Sequence, residues 1–127
     1  MEKCILFKTP DTVDLIFGVY ERLDIMYDAM GDQLKSVEGI NLKNVWVNMF
    51  KELNEQFKDT QDSPIINMTE EQIGKLLFFG DMVGRFFSLH GDETDNEFLK
   101  NLTVLFEQAT QGKEKPTMEE CWKYIKG

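Results

Sequence analysis

The chain is poor in the residues that staple, metallate or punctuate small proteins. Two cysteines, three prolines and one histidine occur in 127 residues. Cys4 and Cys121 stand near opposite ends and no CxxC pair occurs, so a disulfide framework is excluded. Neither thiol has a histidine or basic cluster beside it, so both are expected to be reduced, unlinked and unreactive. One histidine and two distant cysteines make no closed tetrahedral zinc site, and HExxH is absent. There is no GxSxG, no P-loop and no GxGxxG. No apolar run approaches the ~20 residues of a membrane span. The opening MEKCILFKTPD lacks the apolar length and cleavage site of a signal peptide, which predicts a cytoplasmic protein. Basic residues are also scarce: 14 Lys and Arg face 23 Asp and Glu, for a net charge of -9. That balance disfavours direct nucleic-acid binding and anionic membrane surfaces. It permits a basic protein partner, whose encounter it would accelerate.

What is present is a core. With 42% hydrophobic and 12% aromatic residues, the chain is expected to fold as one helical domain over 1–127. The stretch from Thr69 to Gly91 organises it. Thr69 and Gln72 form a capping box, with Met68 and Ile73 as a hydrophobic staple. Beyond it, Ile73, Leu76, Leu77, Phe79, Met82, Val83, Phe86, Phe87 and Leu89 cover most of the helix circumference, leaving a narrow polar arc at Asp81, Arg85 and Ser88. A helix apolar nearly all round belongs in the middle, with Leu76, Phe79, Val83 and Phe86 almost fully buried. Gly80 and Gly84 on its apolar side would admit a close neighbour.

Four further helices are predicted. Thr9-Pro10-Asp11 opens one that continues to about Glu38, with a kink at Gly31. Asn41 caps a second, whose stripe is Leu42, Val45, Trp46, Met49, Phe50, Leu53 and Phe57. Thr94 with Glu97 reads as the capping box of a third, which faces inward through Phe98, Leu99, Leu102, Leu105, Phe106 and Ala109 and stops at Gly112. Thr117 with Glu120 opens the last, a short one holding Cys121, Trp122 and Ile125. The fold class is therefore an all-α bundle of about five helices around a central helix at 69–91. The β-prone runs 3–8 and 64–68 are expected to pair as a minor two-stranded ribbon.

Three constellations are candidates for chemistry. At about 100° per residue, Asp14, Glu21, Asp24, Asp28 and Asp32 fall within about 80° of one another on the first helix. Phe17 projects within that arc, Ile25 lies beside it, and Arg22 is the nearest relieving cation. An acidic ridge with an aromatic in it suits a partner surface, the ring as anchor and the carboxylates as rim; the alternative is a solvated face. The second constellation gathers His90, Asp92, Glu93, Asp95 and Glu97. It fails the EF-hand spacing, since position 6 from Asp92 is Glu97 and not glycine. Charges suited to the ends of two helices explain it. The third, Asp81 with Arg85, is an i, i+4 ion pair, or the polar floor of a pocket if that arc is buried.

These features favour a non-enzymatic acidic binding module, of the inhibitor, immunity, antitoxin or counter-defence type. It would engage a basic or mixed-charge protein through Asp14, Phe17, Glu21, Asp24 and Asp28, with no catalytic residue, cofactor or metal. Three alternatives stand beside it. Ten phenylalanines and seven methionines suit an assembly chaperone or a structural homo-oligomer. Carboxylates spread over one face would suit a nucleic-acid mimic. Two carboxylates converging in space would suit a carboxylate- or metal-dependent enzyme.

Overall fold

A computed structural model of the chain describes the backbone of residues 3–7 and 10, and all atoms of residues 11–110 and 116–127. The elements are β1 (Lys3–Phe7), α1 (Pro10–Leu34), α2 (Leu42–Asp59), β2 (Ile65–Thr69), α3 (Glu70–His90), α4 (Glu93–Ala109) and α5 (Met118–Lys126). The result is an all-α bundle with a small ribbon. β1 and β2 pair antiparallel in the register Lys3 to Thr69, Ile5 to Asn67 and Phe7 to Ile65. In β2 the side chains alternate: Ile66 and Met68 are buried and Asn67 is exposed. The expected cap at Thr9 and stop at Gly112 lie outside the described residues, as does the Cys4 side chain.

α3 is the central helix. It packs against α1, α2, α4, α5 and both strands. Thr69 Oγ1 accepts from the Gln72 amide (3.1 Å), and the Gln72 side chain accepts from the Thr69 amide (3.0 Å), so the capping box forms as the sequence implies. Gln72 is itself buried, and its side-chain amide donates to Gln56 of α2 (3.2 Å). Gln56 in turn donates to the carbonyl of Asn67. One chain of amides thus ties α2, the ribbon and the start of α3 together.

Leu76, Phe79 and Val83 are almost wholly buried, as expected from their arc. Phe86 is only half-buried, and the neighbouring Phe87 takes the core position. Leu89, placed on the apolar surface by its period, is 80% exposed. α3 ends at His90 and α4 begins at Glu93, and in this last turn Phe86 is packed only partly against the core while Leu89 faces solvent. Phe86 instead meets Phe87 edge-to-face and His90 at a tilt, at centroid distances of 5.1 and 4.8 Å. Of the paired glycines, Gly80 lies against the Phe106 ring of α4, which a side chain there would displace. Among the described residues, Gly84 has only Leu99 nearby, at 4.0 Å from where a Cβ would stand. Close approach therefore holds at the first glycine and fails at the second.

α1 breaks at Met30 (φ -142°, ψ 32°), one residue before the glycine expected to kink it, and ends at Leu34 instead of Glu38. Val37 and Ile40 then bond to each other in both directions, at 2.9 and 3.0 Å, around Glu38 and Gly39. Both central residues have positive φ, 52° and 81°, the signature of a two-residue hairpin turn. That turn competes with continuation of the helix, and Gly39 makes it accessible. The cap at Asn41 forms as expected.

Trp46 is buried completely, edge-on to Phe79 of α3 (5.6 Å) and to Tyr27 of α1 (6.1 Å). This aromatic stack joins three helices at the core. Phe79→Ala leaves a cavity where Trp46, α1 and α3 meet and is expected to lower unfolding free energy by about 3–5 kcal/mol. Urea denaturation checks this; a loss under about 1 kcal/mol would mean that α3 is not packed as described.

Candidate functional site

α1 has three working faces. Ile16, Val19, Leu23 and Met26 point into the core and are buried. Phe17, Tyr20 and Tyr27 face α2: Phe17 meets Phe50 and Phe57 at 6.0 and 5.5 Å, and Tyr20 meets Phe50 at 5.2 Å. Gly18 and Arg22 face α4. The carboxylates occupy what remains, the side opposite the core.

Asp14, Glu21 and Asp28 are exposed and Asp24 is half-exposed. None of the four has an ion-pair partner among the described residues. Asp32 leaves the row, because the break at Met30 ends the regular helical phase and Asp32 pairs with Lys35 at 3.1 Å. Phe17 is half-buried. Its ring meets Phe50 and Phe57 of α2, which places it at an edge of the core. Ile25, one residue on from Asp24, is a large apolar side chain of this helix left 53% exposed.

Arg22 does not relieve the ridge. Its Nε and Nη2 both donate to Asp95 Oδ1 of α4, at 3.1 and 3.0 Å, with side chains only 13% and 19% exposed. The guanidinium carbon lies over the Phe98 ring, 3.7 Å from its centroid, a cation–π contact. Gly18 makes room, since a Cβ there would come within 2.5 Å of the same ring. Asp95 also serves the cap of α4. Its Oδ2 accepts from the Asp92 amide, and its own amide donates to Asp92 Oδ1, both at 3.1 Å. The helix therefore starts two residues earlier than the Thr94–Glu97 pattern implies, on an Asp92–Asp95 box. Both boxes are locally competent. Only the first leaves Asp95 positioned for Arg22.

The acidic segment 92–97 is thus a helix start and an interhelical tie. Among the described residues, no group of three or more His, Cys, Asp or Glu is placed to hold a metal ion. Asp81 and Arg85 form their ion pair at 2.8 Å, with Arg85 largely in solvent. They edge a cleft of about 380 Å³ that runs over Gly84 between α3 and α4 and reaches Met118. Cys121 is a free, fully buried thiol, and burial pushes its pKa up to about 11. No described helix is long and apolar enough to cross a membrane. No protein-family model, curated protein or solved structure matches the chain.

Two outcomes are expected. Arg22→Met and Asp95→Asn should each lower stability by about 1–3 kcal/mol, and the double variant by less than their sum, because one charge-assisted contact is lost in each case. A double-mutant cycle in urea measures the coupling, and a value indistinguishable from zero would remove the tie. For Cys121, the unfolded chain sheds its thiol proton near the ordinary 9.0 while the folded chain keeps it to about 11. Stability should therefore fall across that window as pH rises. Cys121→Ala should show a shallower fall in the same titration; equal slopes would place the thiol in contact with water.

Proposed function

We infer that the protein is a non-enzymatic binding module, and that the outward face of α1 engages a protein with a basic patch. One observation carries this most. Asp14, Glu21, Asp24 and Asp28 follow each other along one helix without a compensating cation among the described residues. Like charges at this spacing oppose the helix that carries them, and the one arginine nearby is engaged elsewhere. A basic partner would relieve that repulsion on binding. Ile25 and the open part of Phe17 supply apolar contact within the charged rim, the arrangement in which anchors hold and rim charges steer. The α2 rings behind Phe17 hold it in one orientation, so little side-chain entropy remains to be lost on docking.

The test is affinity capture from the organism that makes the protein, with the wild type and the Glu21→Lys/Asp28→Lys variant side by side. The wild type is expected to retain a partner with a basic surface, and the double reversal to lose it while its thermal midpoint stays within a few degrees. Association rates should fall steeply with salt for the wild type and weakly for the variant. Capture that survives the reversal unchanged would overturn the assignment. Phe17→Ala is the less clean probe, because its contacts with Phe50 and Phe57 make it cost stability as well.

A further inference from the structure

Beside the ridge, α1 and α4 leave a trough of about 650 Å³ between them. Among the described residues, those that line it belong to these two helices. Leu15 of α1 with Phe98 and Leu105 of α4 supply its apolar lining, and Thr12, Asn101 and Gln108 its neutral polar lining. Val104 stands at its side, 51% exposed, a β-branched side chain left in water on a helix. Asp11 and Asp14 stand along the α1 wall, and neither has an ion-pair partner among the described residues. The Arg22–Asp95 pair lies just beyond Phe98, its charges already matched to each other.

The geometry points to a docking groove for a cationic amphipathic helix of a protein partner. The proposal rests on α1 being the partner-facing helix and names the element that it receives. Two neighbouring helices with apolar side chains between them offer the ridges that a third helix packs into, through side chains spaced i, i+3, i+4 and i+7. The occupant's charge follows from the wall. Asp11 and Asp14 would sit beside the flanking positions of such a helix, where Lys or Arg would meet them and Asp or Glu would be repelled. Glu21, further along α1, extends the same field and selects the direction in which a basic end lies. A net charge of -9 opposes both an acidic helix and a nucleic acid at this place.

The probe is a synthetic peptide of two Leu-Lys-Lys-Leu-Leu-Lys-Leu heptads, titrated into the intact protein and followed by backbone amide shifts and by fluorescence anisotropy. Saturable binding is expected, with shifts centred on Leu15, Phe98, Asn101 and Val104. Val104→Arg, which fills the trough at an exposed position and reverses its field, should weaken binding about tenfold or more, equivalent to about 1.4 kcal/mol. Asp14→Lys should do the same. Oligolysine of equal charge that binds as tightly would reduce the effect to bulk electrostatics and overturn the groove. So would shifts centred on Phe17 and Asp24, or amide shifts that appear on concentrating the protein alone, which would make the occupant a second copy. A partner captured by the wild type, lost with Glu21→Lys/Asp28→Lys but kept by Val104→Arg, would leave the function proposed for α1 standing and remove the groove alone.

Discussion

A helix with apolar side chains around most of its circumference is stable in water only when other elements cover it. α3 is such a helix, and much else in the molecule follows from covering it. α2 supplies Trp46, α4 supplies Phe106 against Gly80, α5 supplies the buried Cys121 and Ile125, and β2 closes the start through Ile66 and Met68. The cover is incomplete at the C-terminal turn, and there Phe86 and Leu89 surface although their spacing is that of a core. The amide chain from Gln72 through Gln56 to Asn67 satisfies the polar groups that it joins beside this core.

α1 is a different kind of element, because its three remaining sides have three different tasks. One side is core, one is an aromatic seam with α2, and one meets α4 through a charged pair stacked on a ring. The fourth side is left for carboxylates. The seam and the tie restrain the helix from both flanks, so its outward face is displayed on a rigid support. A rigid charged face loses little entropy when a partner docks. The α1–α4 trough lies on the α4 flank, beside the Arg22–Asp95 tie.

The second role of Asp95 illustrates how a local signal is chosen among competitors. Asp92-x-x-Asp95 and Thr94-x-x-Glu97 both offer reciprocal caps, and they overlap. A cap contributes on the order of 1 kcal/mol either way. The additional bonds from Arg22, together with its contact on Phe98, decide for the earlier start. A similar competition ends α1: a helix that continued past Leu34 is displaced by the tight turn at Glu38–Gly39.

The sequence by itself determined the elements whose causes are local. Caps at Asn41, Thr69 and Thr117 bond to amides two or three residues away, so their signatures are legible in the chain. The period of apolar residues identified α3 as the central helix, because burial on all sides requires a pattern on all sides. The row of carboxylates from Asp14 to Asp28 was legible for the same reason, since residues on one helix keep a fixed angular relation. Only the tertiary structure decided what depends on residues far apart in the chain. It turned Arg22 toward Asp95, 73 residues away, and so left the ridge without its expected counter-charge. It laid Phe17 against Phe50 and Phe57, put Phe87 rather than Phe86 inside, and opened the trough beside Val104. These are choices between faces of equal local propensity, and the packing of one helix against another makes them.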